Sequence, residues 1–336
     1  MSTSLDWGRA VSLIERAGAE GGLITLACHV SPDGDALGSM LGFALGLRQR
    51  GIRCAASFGE PSTVPEGLSF LPGQDLLAAP QQLPSAPDLM ISFDAAGIDR
   101  LGALAAYAER AAELIVLDHH ASNHGFGSVN LVDPDAAATA VLAEKLLRRL
   151  QVSLTKDIAL GLYAGLASDT GSFRYPTTTP EVHRLAGRLI AAGVQPDPVG
   201  RELWDRAPFG FLKVLSAALG RARLESRAAD GLGVVWTTVP KADREAYGLS
   251  YDRLEGVIDV VRRSDEAEVA VVLKETDEGA WYVSTRSKGG VDVARACVAL
   301  GGGGHRLAAA FTSTDAPETT IDRLLALLAT PIEAAS

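Results

Sequence analysis

Eight side chains in the first 170 residues have the types and spacing to do chemistry together. His29 closes the apolar run 23–30 (LITLACHV) and is followed by Asp33 and Asp35. Asp94 comes directly after the run 88–93 (DLMISF), and Asp118-His119-His120 directly after 114–117 (LIVL). Asp169 follows the helical pattern 156–167. Taken singly, each has an ordinary explanation: a lone Asp caps a helix, Asp-Gly makes a turn, and paired histidines form a hydrogen-bonded corner. Four such items at the ends of successive elements need a common one. Carboxylates brought together repel unless cations neutralise them. Asp33, Asp35, Asp94, Asp118 and Asp169 with His29, His119 and His120 make the mixed oxygen and nitrogen donor set of a two-metal site. Mn²⁺ is the expected ion, since carboxylate favours hard cations, imidazole favours later ones and no thiolate is offered. Two such ions about 3.5–4 Å apart support phosphoester hydrolysis by stabilising both attacking and leaving oxygens.

The elements that must position these groups follow from the hydrophobic pattern. Strands are expected at 23–30, 53–58, 88–93, 114–117 and 129–132, and helices at 36–49, 136–150, 156–167 and 182–192. Strand and helix alternate, which predicts a parallel, doubly wound α/β sheet whose ligand site lies beyond the carboxyl ends of the strands. Gly193 and the Gln195-Pro-Asp-Pro stretch break the pattern. Further β-like runs at 232–238, 269–273 and 280–285, with a helical stretch at 254–263, predict a second, smaller α/β domain. The expected organisation is therefore 1–192 and 223–336, joined by a helical linker over 193–222.

Bulk properties narrow the function classes. A chain of 336 residues, 47% apolar, has enough apolar sequence for two cores, which excludes disorder. Three cysteines without a C-x-x-C pair exclude a disulfide scaffold, and Cys28 reads as a buried small hydrophobe. Nothing in the first residues resembles a signal peptide and no apolar run spans a bilayer, so a soluble, cytoplasmic protein without membrane contact is expected. A net charge of −10 disfavours extended polyanions, and duplex DNA with them. The N-terminal domain is apolar enough to support a homodimer, and the oligomeric state stays open.

In the second domain, Gly301–Gly304 follows the helical pattern 291–300. One glycine suffices to end a helix. Four leave backbone N–H groups uncovered by side chains, as an anion cradle requires. His305 and Arg306 come next, and Arg286 and Lys288 follow a strand. Trp281, Tyr282 and Phe209 could stack a base, but core packing is the better explanation of each. His124 reads as a surface loop residue.

The motifs His29-x3-Asp33-x-Asp35-x2-Gly38-Ser39, Asp94, Asp118-His119-His120 and Asp169-Thr-Gly-x-Phe-Arg174 resemble, in order, those of the DHH phosphoesterase family. Gly301–Gly304 with His305 resembles the signature of the DHH-associated substrate domain. The run Asp133-Pro-Asp-Ala-Ala-Ala-Thr139 is similar to the NrnA-type nanoRNase and pAp phosphatase branch. The resemblance implies one ion on His29, Asp33 and Asp94, and a second on Asp35, Asp94, His119 and Asp169. Asp94 would bridge them. It implies that His120 sits beside the scissile phosphate as hydrogen-bond donor or general acid. Asp118 would accept a hydrogen bond from a ligand and fix its ring. Arg286, Gly302, Gly303, Gly304 and His305 would hold the far end of the substrate.

The implied activity is removal of nucleoside monophosphates from very short oligoribonucleotides, together with dephosphorylation of pAp. Cyclic di-AMP and linear pApA are alternative substrates needing the same parts. An inorganic pyrophosphatase is disfavoured by the glycine-rich C-terminal motif. A non-catalytic nucleotide sensor is disfavoured by the complete set of ligand positions.

Overall fold

Apolar runs of four to six residues, each too short to bury itself as a helix, alternate with helices and assemble into a parallel sheet. The computed structural model describes residues 5–60 and 62–328, in two units, Met1–Arg206 and Ala207–Ser336. In the first unit α1 (Trp7–Ala19) leads into β1 (Ile24–Cys28), α2 (Gly34–Gln49), β2 (Cys54–Phe58) and β3 (Leu89–Phe93). Then come α3 (Ala105–Arg110), β4 (Glu113–Asp118), β5 (Val129–Val132), α4 (Thr139–Arg149), α5 (Lys156–Asp169), α6 (Pro180–Ala191) and α7 (Pro196–Trp204).

The five strands are all parallel, in the order β2-β1-β3-β4-β5. Successive residues of a strand face opposite sides. Leu26, Ile91 and Leu117 accordingly join the large core under α2, α4 and α5, while Ala27, Met90 and Val116 join a smaller one on the other side. Burial on both faces explains why these strands read as unbroken apolar runs. Asp169 is part of the last turn of α5 rather than lying beyond it, because the helix runs two residues further than its apolar pattern.

Helices α2 and α5 cross at glycines. A Cβ built on Gly38 would lie 2.4 Å from Gly161 O, and one on Gly165 would lie 2.7 Å from Asp35 Oδ1. These helices carry Asp35 and Asp169, so their close approach sets the spacing of two of the eight side chains.

The second unit begins with α8 (Phe209–Gly220), β6 (Arg223–Glu225), β7 (Val234–Val239), α9 (Lys241–Glu245) and α10 (Val257–Val261). It continues through β8 (Val269–Glu275), β9 (Trp281–Ser287), α11 (Val293–Ala299), β10 (Gly303–His305), β11 (Ala308–Ser313) and α12 (Pro317–Leu328). The sheet is mixed, ordered β10-β11-β9-β8-β7-β6, with only β7 and β8 parallel. No helix among the described residues is long and apolar enough to cross a membrane.

The glycine contact yields a paired test. Gly38→Ala forces a methyl against backbone and should lower unfolding stability by about 1–3 kcal/mol in a denaturant titration. Gly187→Ala, in α6 with open space around the new methyl, should instead leave stability unchanged or raise it by up to about 1 kcal/mol. Equal effects of the two would show that α2 and α5 do not meet at Gly38.

Candidate metal centre

Strand register alone brings three of the predicted side chains into line. Cys28 pairs with Phe93, and Phe93 with Leu117, so the next residues, His29, Asp94 and Asp118, emerge side by side at the carboxyl edge. β1 and β3 flank the point where the strand order reverses, the usual ligand position in an open parallel sheet. Asp94 leaves its strand at φ +55° and Ser31 follows β1 at φ +51°. Both conformations are unfavourable for side-chain-bearing residues, and the surrounding packing enforces them.

The other members arrive from helix ends. Asp33 is the N-cap of α2, its Oδ1 accepting from the N–H groups of Asp35 and Ala36 at 3.0 Å each. Asp35 is the second residue of α2, within its first turn, and fully buried. Its carboxylate accepts from Ser39 Oγ (2.8 Å) and from the N–H groups of Thr139 (2.5 Å) and Ala140 (2.9 Å) at the start of α4. Asp169 comes from the last turn of α5 and brings Oδ2 to 3.0 Å from His119 Nε2.

All six residues expected to bind metal are thus gathered in one place. His29 Nε2 lies 4.0 Å from Asp33 Oδ1 and 3.6 Å from Asp94 Oδ2. His119 Nε2 lies 3.4 Å from Asp94 Oδ1 and 4.0 Å from Asp35 Oδ2. With bonds of about 2.1 Å, adjacent ligands of an octahedral ion are about 3 Å apart and opposite ones about 4.2 Å. The sets His29, Asp33, Asp94 and Asp35, Asp94, His119 are each within the reach of one cation. The two oxygens of Asp94 face different sets.

The imidazoles are oriented for the same purpose. His29 Nδ1 is 2.8 Å from Val30 O and His119 Nδ1 is 3.2 Å from Ala136 O. A carbonyl only accepts, so Nδ1 carries a hydrogen in both rings, and Nε2 is the atom turned towards the carboxylates and left to hold either a proton or a cation.

His120 is held differently. Its Nδ1 lies 2.7 Å from Asp118 Oδ1. The expectation that Asp118 would steady a metal-ligand ring is corrected to this extent: the ring it bonds is that of His120. The other oxygen of Asp118 accepts from Asn123 Nδ2 at 2.7 Å, and the same amide reaches Ala95 O at 3.0 Å. Sequence reasoning missed Asn123. It also missed Thr139, whose hydroxyl donates to Asp94 Oδ1 at 2.9 Å. Two signals were available: an Asn two residues before Gly125 in a short loop, and a helix opening on Ala138, which offers no capping side chain.

The charges are strongly coupled. Burial opposes a charge on His29, but Asp94 and Asp33 outweigh it and raise the imidazole to about 9. His119 and His120 are also raised, burial again being overcome by Asp169 and Asp94 around the first and by Asp118 and Asp94 around the second. Burial, reinforced by Asp94 and Asp169, holds Asp35 well above the usual carboxylate range. Burial likewise lifts Asp169 to about 6 against the pull of His119. Asp94 goes the other way: His119 and His29 overcome its burial and keep it ionised. Without metal, the cluster compensates its negative charge with protons.

In the second unit, His305, Ala308 and Arg286 stand in register across β10, β11 and β9. Cross-strand partners share a face, so a methyl group separates the imidazole and the guanidinium, two strand spacings or about 9.6 Å apart at the backbone. The glycine run only partly matches the expected cradle. Gly301 N–H donates to Val298 O and Gly302 N–H to Cys297 O, closing α11, while Gly303 and Gly304 enter β10. The free N–H groups are fewer than four because the helix end consumes two. Phe209 is 71% exposed at the head of α8, contrary to the expectation of core packing. Tyr282 is half-buried with Lys274 Nζ 5.1 Å from its ring centre, and Trp281 packs against the sheet core. His124 is exposed and Cys28 buried, as expected.

A buried Asp and His cluster at the switch point of a parallel sheet, with donor spacings suited to divalent ions, defines the class of metal-dependent hydrolases acting on phosphoester bonds. Residues 23–166 match the DHH family, N-terminal domain, and residues 234–334 match the DHHA1 domain; the chain belongs to the DHH family of phosphoesterases. It is 34% identical to the bifunctional oligoribonuclease and PAP phosphatase NrnA of Thermus thermophilus, covering 91% of this chain and 89% of that one. It is 27% identical to the Bacillus subtilis protein of the same name, covering 91% and 94%. Its fold is that of an exopolyphosphatase-related protein from Bacteroides fragilis, with a TM-score of 0.84 at 21% identity over 96% and 95% of the two chains.

The protons on the cluster give a pH signature. A raised imidazole stabilises the fold fully below its ordinary value near 6.5, and that stability is lost as pH rises through about 9. The melting temperature of chelator-treated protein should therefore fall between those values. Saturating Mn²⁺ should remove the fall, since cations then replace the protons. A melting temperature of chelated protein that is flat across this window would contradict the arrangement.

Proposed function

We propose that this protein is a two-metal phosphoesterase that hydrolyses very short oligoribonucleotides to nucleoside monophosphates and dephosphorylates pAp. The observation that carries the proposal is the split carboxylate of Asp94, with Oδ2 turned towards His29 and Oδ1 towards His119. One ion would be held by His29, Asp33 and Asp94, and the other by Asp35, Asp94, His119 and Asp169. Mn²⁺ suits this mixture of carboxylate and imidazole. When bound, such a pair supplies an activated water and neutralises charge on the phosphoryl oxygens.

The chain's own groups supply the rest. Asp118 fixes His120 with its Nδ1 hydrogen inward, which leaves Nε2 to donate to the leaving oxygen. Burial of Asp35, Asp94 and Asp118 keeps water from screening the charges. In the second unit, Arg286 and His305 grip a second phosphate, aided by Gly303 and Gly304, the glycines that the end of α11 does not use. Recognition of a terminal group and a net charge of −10 both favour short substrates over long polyanions. The names of the Thermus and Bacillus relatives support the same substrate class.

A substrate panel with Mn²⁺ tests the reading: pAp, pApA, a trinucleotide, a 24-mer, cyclic di-AMP and pyrophosphate. The di- and trinucleotide and pAp should turn over fastest, and chelation should abolish all hydrolysis. Full activity in chelator, or equal rates on the dinucleotide and the 24-mer, would defeat it; preference for cyclic di-AMP would reassign the substrate. Arg286→Ala and His305→Ala should each lower kcat/KM for pAp roughly ten- to a hundredfold, with metal content and hydrolysis of a nitrophenyl phosphate ester preserved. Loss of metal in either variant would show that the residue belongs to the metal centre or the fold.

A further inference from the structure

Helix α4 begins without a cap of its own. Its N-cap is Ala138, which has no side-chain acceptor, and first-turn N–H groups left unsatisfied in a buried place destabilise a helix. The acceptor comes from another helix. Asp35 of α2 receives the N–H of Thr139 on Oδ2 and the N–H of Ala140 on Oδ1. The hydroxyl of the same Thr139 donates to Asp94 Oδ1 at 2.9 Å. Thr139 is fully buried and reaches both carboxylates, one through its backbone and one through its side chain.

The helix terminus therefore faces two carboxylates of the cluster, Asp35 and Asp94. Its N–H groups and partial positive charge favour anions there. A carboxylate oxygen has two lone-pair directions, so Asp94 Oδ1 can accept from Thr139 and still offer a lone pair towards His119. A flexible carboxylate would swing between the His29 and His119 sides; one with a donor on Oδ1 is locked with an oxygen on each.

From this geometry we infer that Thr139 is a positioning residue of the metal centre. Its hydroxyl holds Asp94 in the bridging orientation before any cation arrives, while the α4 terminus holds Asp35. The inference rests on the proposed two-metal reading and deepens it. Thr139 is outside the proposed ligand set. Its effect passes through Asp94.

The test is Mn²⁺ binding by calorimetry to chelator-stripped protein, with thermal unfolding of the stripped form measured alongside. Thr139→Val keeps shape and backbone donors but removes the hydroxyl, and should weaken Mn²⁺ binding roughly ten- to a hundredfold, as loss of a ligand's hydrogen-bond partner commonly does. Thr139→Ser retains the hydroxyl and should bind as the parent does. Thr139→Ala, which cannot overfill the site, should match the valine variant and stands in for it if that fails to fold. Parent-like binding by the alanine or valine variant would overturn the inference, as would weak binding by the serine variant. A parent protein that takes up no divalent ion would overturn the two-metal reading itself, and this inference with it.

Discussion

Five carboxylates gathered at one end of a parallel sheet are the constraint on which this molecule turns. Three of them, Asp35, Asp94 and Asp118, are buried almost completely. Like charges so placed repel strongly in an interior that screens poorly, and the arrangement survives only if positive charge is supplied. Among the described residues, the cationic partners of these carboxylates are imidazoles rather than lysine or arginine. Imidazoles can give up their protons to make room for metal, whereas a guanidinium would occupy the place permanently. The cluster thus has two ways to be neutral, protons or divalent cations, and the proposed chemistry uses the second.

Much of the scaffold serves that crowding. Parallel register sets His29, Asp94 and Asp118 abreast. The glycine contact between α2 and α5 lets Asp35 and Asp169 approach from two helices without intervening side chains. Helix N-termini meet two of the carboxylates: Asp33 caps its own helix, and Asp35 caps a neighbour's. Each device is ordinary alone. Together they hold the donors to spacings near those of a coordination shell, which reduces the ordering required when a cation binds.

Residues at the strand ends were legible in the sequence because a parallel strand delivers its next residue to the sheet edge whatever the loop does afterwards. The N-terminal strands and their parallel arrangement were legible for a further reason: burial on both faces leaves nearly unbroken apolar runs in β1, β3 and β4. Asn123 and Thr139 were only faintly legible, through an Asn shortly before a loop glycine and a helix opening on an alanine. Their importance comes from partners 5 and 45 positions away in the chain, and neither Asn nor Thr is marked by periodicity or charge. The glycine run was read as four free donors because composition does not reveal that a helix end and a new strand would share it. Phe209 was similarly obscured, since aromatic identity gives no sign of exposure.

The two units divide the work on the proposed reading, with cleavage in the first and recognition in the second. In the second, His305, Ala308 and Arg286 form a row across three strands, with an imidazole and a guanidinium on either side of a small residue. The central claim concerns the first unit: one carboxylate, Asp94, divides two cation positions. Anomalous diffraction at the manganese edge from crystals grown with Mn²⁺ tests it most directly. The account predicts two peaks about 3.5–4 Å apart, one beside His29 and one beside His119, with an oxygen of Asp94 on each. A single peak, or a pair that does not share Asp94, would contradict it.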